Sequence, residues 1–155
     1  MARTPRVLAV EGAPAEPDLL DNAPPPREAE TLIGHHAARA AIVDAFNNAP
    51  PQGIILEGPR GIGKATLAFR LAKGLLSGAP TDKLFDAQSD ARACHQVGAG
   101  THPGVLHLTR AYDEKTKRFR TELSVDTVRR IIPFLGSTAA GGGWRVVIVD
   151  AVDDM

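Results

Sequence analysis

The apolar and polar positions of the chain fall into alternating helix-like and strand-like stretches from about residue 31 onward. Ala38, Ile42, Ala45 and Phe46 recur at helical spacing and predict one amphipathic helix over about 35–47. Asn47, Asn48, Pro50 and Pro51 end it. Gly53, Ile54, Ile55, Leu56 and Glu57 then read as a short apolar strand of the kind buried inside a parallel sheet. A glycine-rich turn at 58–63 leads into a helix over about 64–76, with Leu67, Leu71 and Leu75 on one face and Gly78 just past its end. Ala91 to Val97 predicts a short helix, broken by Gly98, Gly100 and Pro103. Val105, Leu106 and Leu108 mark a second strand. Ala111 to Arg120 is a polar loop or hairpin, with Thr121 to Val125 read as pairing back. Ser124 is placed to cap a helix over about 125–135, with Asp126 in its first turn. Val128, Ile131, Ile132 and Leu135 are its expected buried face. Gly136 and Gly141 to Gly143 make a loop, and Arg145 to Asp150 reads as another buried strand. Helices alternating with apolar strands predict an α/β fold on a parallel sheet.

Residues 1–30 have a different character. Pro5, Pro14, Pro17 and Pro24 to Pro26 punctuate them. Arg3, Arg6 and Arg27 face six acidic residues, Glu11, Glu16, Asp18, Asp21, Glu28 and Glu30. So little apolar surface does not offset the ordering entropy of the segment. It is read as a flexible tail, or a strap lying over a folded unit at 31–155.

Composition narrows the function classes. The 155 residues hold 18 basic and 18 acidic side chains, for a formal net charge of zero. A globally basic nucleic-acid binder and an acidic solvating chain are both excluded. One cysteine excludes a disulfide framework and any four-thiolate metal site. The first ten residues lack the apolar run of a signal peptide. No stretch approaches the roughly 20 apolar residues of a membrane span. A cytoplasmic protein with no membrane partner is expected.

The strongest chemical motif is Gly58-Pro59-Arg60-Gly61-Ile62-Gly63-Lys64-Ala65-Thr66, which fits G-x-x-x-x-G-K. Glycines let the backbone curl so that successive amides point at phosphate oxygens. The following helix offers its positive end to the same anion, and Lys64 would reach the outer phosphates as a point charge. Ala65 departs from the pattern, because a Ser or Thr hydroxyl belongs there to hold Mg²⁺. Thr66 is one residue on, and one helical step turns a side chain by roughly 100°. Val146 to Val149 followed by Asp150 has the Walker B form, an apolar strand that ends in a carboxylate near the metal of a bound nucleotide. Ala151 stands where ATPases of the AAA+ type place a glutamate that polarises the attacking water. Two blank positions in two motifs predict a phosphate-loop fold without efficient ATP hydrolysis. ATP is therefore a doubtful ligand, Mg²⁺ more so.

Other constellations are weaker. The 110–130 stretch holds seven basic residues, Arg110, Lys115, Lys117, Arg118, Arg120, Arg129 and Arg130, against Asp113, Glu114, Glu122 and Asp126. Interleaved acids favour a solvated loop over a DNA-backbone contact. Cys94, His95 and His102 lack a fourth ligand for a closed zinc site. His35 and His36 are read as capping or flanking a helix, without a catalytic partner.

Taken together, these motifs resemble one family. Leu32-Ile33-Gly34-His35, the phosphate loop, Thr101-His102-Pro103, the Ser124 to Arg129 helix start, and Gly142-Gly143-Trp144 running to Asp150 and Met155 are similar to the delta-prime subunits of bacterial DNA polymerase III clamp loaders. The similarity covers about residues 30–155. It implies an AAA+ P-loop NTPase fold, three layers α/β/α, in a pentamer that opens the sliding clamp and places it on primed DNA. The implied partners are the gamma/tau and delta subunits, the clamp and, through the complex, DNA. It also implies a rigid, poorly hydrolysing role, which suits Ala65 and Ala151. The chain departs from the family in three ways. Only Cys94 lies where many members carry a cysteine-rich zinc module, so zinc is not expected. The Ser-Arg-Cys motif that supplies an arginine finger is not in the chain. The helical lid and collar domain are missing, so the sheet is expected to be incomplete at its C-terminal side, with exposed edges. The expectation is an N-terminal fragment, aggregation-prone on its own. An active AAA+ ATPase, gamma/tau-like or outside replication, is the competing reading. A small-molecule kinase ranks below both, since it would need the metal ligand and transition-state arginines.

Overall fold

A computed structural model describes residues 23–86, 91–137 and 143–150. Residues 1–22 of the tail, Gly141, Gly142, Ala151 and the acidic pair at Asp153 and Asp154 lie outside the described residues. The helices are α1 (His36–Asn48), α2 (Lys64–Ser77), α3 (Arg92–Gly98), α4 (Val125–Arg129) and α5 (Ile131–Gly136). The strands are β1 (Val105–Leu108), β2 (Tyr112–Asp113), β3 (Arg118–Phe119) and β4 (Val146–Val149).

β1 and β4 pair in parallel, with Val105 opposite Val146 and Leu108 opposite Val149. Parallel pairing between strands so far apart in sequence requires a long crossover. Here it runs through the β2–β3 hairpin, α4 and α5. α2 is the organising helix. It packs on α3 and on β4, and its two apolar faces feed two clusters. Leu67 and Leu71 join Ile42, Leu84 and Phe85. Phe69 and Ala72 join Val97 and Ile148. The αL cap at Gly78 closes α2, its amide reaching back to the last turn, as a glycine past a helix end permits.

α2 also carries a tight crossing. A Cβ on Gly74 would sit 1.9 Å from the Leu84 carbonyl oxygen, so only glycine fits where the 81–84 turn meets the helix. Two buried cations of α2 hold the approach segment. Arg70 donates to Glu30 O at 3.0 Å and to Phe85 O at 2.7 Å, and Lys73 donates to Ala29 O at 3.3 Å. Arg27 reaches the other way, to Gly98 O at 3.1 Å. Residues 27–30 thus lie across α2 and the end of α3.

Three expectations are corrected. Residues 53–57 do not form a strand. Ile55 is 91% exposed, and within the run only Leu56 packs on a core cluster. The cause is the lack of a neighbour. β4 has β1 on one side, and among the described residues no strand pairs with its other edge or with 53–57. Apolarity alone does not supply hydrogen-bond partners. Second, Thr121 to Val125 does not pair back. The hairpin closes earlier, with Tyr112 opposite Phe119 and Asp113 opposite Arg118. Third, the helix expected over 125–135 is broken at Arg130 and buries none of its residues. Pro133 has no amide to give the Arg129 carbonyl, and its ring crowds that carbonyl. Ile132 is 75% exposed and Leu135 52%. Ser124 does cap α4, its hydroxyl accepting from the Thr127 amide. Among the described residues the architecture is α/β with a small parallel sheet, and the expected third layer is not completed.

Candidate phosphate-binding loop

The 58–63 turn is curled by three glycines at positive φ: 150° at Gly58, 81° at Gly61 and 100° at Gly63. An L side chain at Gly61 or Gly63 would be strained there. Gly63 is the N-cap of α2, with no side-chain cap and no acid in the first turn. Among the described residues the amides of Gly61, Gly63 and Lys64 donate to no protein acceptor. The positive end of a 14-residue helix therefore faces outward beside them.

Lys64 folds back over this turn. Its ammonium donates to Gly58 O at 2.5 Å and to Pro59 O at 3.0 Å. The loop's own carbonyls hold the cation. Arg60 and Ile62 are exposed on the turn. Ala65 offers no oxygen, and Thr66 follows it into the helix, half-buried. Asp150 lies one residue past β4, its amide donating to Leu108 O at 3.0 Å, which fixes it at the C-terminal end of the parallel pair.

A histidine clasps the turn from outside. His35 Nε2 donates to Ile62 O at 2.8 Å. A Cβ on Gly63 would lie 3.3 Å from that same nitrogen. His35 is the N-cap of α1 in the αL conformation, at φ 58°, directly after Gly34 at φ 77°. Two consecutive positive φ angles swing the ring away from α1's own amides and onto the loop. The expectation that His35 caps or flanks a helix is right about its place; its ring serves the loop. The Gly34-His35 pair was the available sequence cue, since a glycine just before a helix marks an unusual entry to it.

Three other titratable groups are shifted by burial. Burial, helped by Arg27, lowers His107 to about 4, and its ring meets Phe69 edge-on at 4.9 Å. Burial likewise lowers His102, whose Nδ1 accepts from the Gly104 amide at 3.0 Å. Burial, then the nearby Arg70, lowers Lys73. Cys94 is buried in α3. Among the described residues no three His, Cys, Asp or Glu side chains gather as a metal site. None of the described helices is long and apolar enough to cross a membrane.

A cavity of about 650 Å³ lies away from the loop. Phe46, Leu75, Gly78, His102 and Trp144 line it, at the opposite end of α2. About 1.5 Å of rise per residue puts the two ends of that helix on the order of 20 Å apart.

A family model described as DNA polymerase III, delta subunit, matches residues 36–155. No solved structure matches the chain. The match takes in α1, the 58–63 turn, both strands of the parallel sheet and Asp150, and the chain belongs to the DNA polymerase III delta-subunit family.

Proposed function

We propose that this chain is a delta-prime-like subunit of the DNA polymerase III clamp loader. It serves as a structural AAA+ module in loading the sliding clamp onto primed DNA. Its partners are the gamma/tau and delta subunits, and through them the clamp and DNA, in the cytoplasm. In this reading the 58–66 turn is a triphosphate cradle that has lost its metal chemistry. The observation that carries it is the pairing of an outward-facing amide cradle at Gly61, Gly63 and Lys64 with an alanine at position 65. Main-chain donors and a positive helix end suit a phosphate group. For Mg²⁺ the fit is poor, because Asp150 is left without the hydroxyl that would share the ion.

Phosphate binding here has a cost. Lys64 must first leave the Gly58 and Pro59 carbonyls, so the lysine's gain on a phosphate is offset by two lost charge-assisted bonds. Weak nucleotide affinity and little turnover follow.

The test is ATP binding and hydrolysis by the full chain, with and without Lys64→Ala, and clamp loading in the reconstituted complex. Turnover at background, with clamp loading supported equally by wild type and Lys64→Ala, is the expected result. Turnover of about one per second or more, abolished by Lys64→Ala, would instead establish an active AAA+ ATPase.

A further inference from the structure

The basic stretch left aside by the phosphate-loop reading acquires a definite shape in the structure. β2 and β3 form a two-stranded ribbon whose four-residue turn carries Lys115 and Lys117. Lys117 sits in the αL conformation, at φ 52°. Arg118 and Arg120 are two residues apart on β3 and its extension, hence on one face; the Arg120 amide bonds Ala111 O at 2.8 Å. Phe119, between them, faces the other way and packs on Tyr112 with ring centroids 5.2 Å apart. One face of the ribbon is held by an aromatic pair; the other carries Arg118 and Arg120, with Asp113 opposite Arg118.

Interleaved acids are the sequence argument for a merely solvated loop; in the structure Asp113 and Asp126 have partners of their own, while Glu114 and Glu122 stand exposed. Asp113 is committed to the turn: its Oδ1 accepts from the Lys115 amide at 2.9 Å and the Thr116 amide at 3.2 Å. Those two bonds, first of all, hold its carboxyl below the usual range. Asp126 pairs with Arg129 at 3.4 Å, away from the ribbon. Among the described residues Lys115, Lys117 and Arg118 enter no ion pair, and all three are exposed. Elsewhere Arg39 meets Asp86 at 2.9 Å and Arg27 meets Glu28 at 3.6 Å.

We propose that the 112–119 ribbon is a nucleic-acid contact, laying Lys115, Lys117 and Arg118 on the phosphate backbone of duplex DNA. Two observations favour DNA over an acidic protein surface. A two-stranded ribbon has the width of a DNA groove, with cations at its tip and on one face where the groove's flanking phosphates would lie. And the chain belongs to a DNA polymerase family, so its complex works at a duplex. The contact is sequence-independent, since it offers point charges to phosphates and no paired donor and acceptor to a base edge. It depends on family membership and on the hairpin, not on the state of the phosphate loop.

The test places a benzophenone amino acid at Glu114, the exposed position at the start of the turn, in the full chain assembled with its complex. The complex is irradiated with labelled primed duplex DNA. A DNA adduct is expected, its yield falling steeply between about 50 and 200 mM salt. Combining Lys115→Ala, Lys117→Ala and Arg118→Ala should lower the yield about tenfold and reduce the salt slope by about 3, at roughly 0.9 per lost phosphate contact. Lys83→Ala, on the distant 81–84 turn, should leave it unchanged. Replacing the three cations with glutamine keeps the side chains long and gives the same loss if charge is responsible. Adducts to protein subunits only, or a DNA adduct indifferent to the triple substitution, would overturn the proposal.

Discussion

At the residue scale, His107 shows how burial of a titratable side chain becomes a pH dependence. Its pKa is about 4 when folded, against 6.5 in its ordinary state. The unfolded chain therefore binds a proton between those values that the folded chain refuses. Protonation favours unfolding there, so stability is highest above pH 6.5 and falls as the pH drops toward 4. A shift of this size corresponds to about 3 kcal/mol at most. His107→Leu should flatten that limb, measured as the difference in urea midpoint between pH 7.5 and pH 5. A midpoint difference unchanged by the substitution would place the pH sensitivity elsewhere. The residue scale is also where the loop chemistry resides: one ammonium on two carbonyls, one imidazole on a third, and a methyl where a hydroxyl would bind a metal.

At the element scale, α2 does most of the organising, and Gly74 is its most constrained position. In an exposed helix interior, glycine to alanine gains stability, about 1 kcal/mol. Here the added methyl would strike the Leu84 backbone. The neighbour is main chain and cannot rotate away, so overpacking outweighs propensity. Gly74→Ala should cost about 2–3 kcal/mol by denaturant titration, detaching the 81–85 turn with Leu84 and Phe85, two buried members of the first cluster. A stabilised variant would mean that the crossing is looser than described. The short helices behave differently. α4 and α5 bury no residue and are separated at Arg130, three residues before Pro133, so they contribute little to the core despite their apolar sequence.

At the scale of the whole molecule, the apolar surface is unevenly covered. Ile33, Ile55, Ile132 and Leu135 are each more than half exposed, while both core clusters sit around α2. Exposed side chains of this size promote association. The combined substitutions Ile55→Lys and Ile132→Glu should reduce light scattering by the 155-residue chain at micromolar concentration, with the melting midpoint unchanged. A lowered midpoint would show that these side chains are packed in solution. The two ends of α2 also face different surroundings. The amide cradle lies at one end and the 650 Å³ cavity lined by Trp144 at the other, so a ligand in that cavity would not touch Lys64.

The sequence by itself determined what depends on near neighbours along the chain. The glycine spacing at 58–63, the helix after it, the Ser124 cap and the Gly78 stop all follow from local dihedral preference and periodicity, and the structure places each where the pattern does. The alanine at 65 was equally legible, since a missing oxygen needs no coordinates. Tertiary structure alone decided which apolar runs find a partner. Ile54 and Ile55 read as core and stand unpaired, whereas Val146 to Val149 meets β1. A strand is completed by hydrogen bonds from distant residues, which composition and spacing do not encode. The same holds for Lys64 on its own carbonyls, for His35 on Ile62 and for Asp113 turned into its own hairpin. Each is a contact set by where backbone oxygens and amides arrive in space, and the chemistry of the loop and of the basic ribbon depends on it.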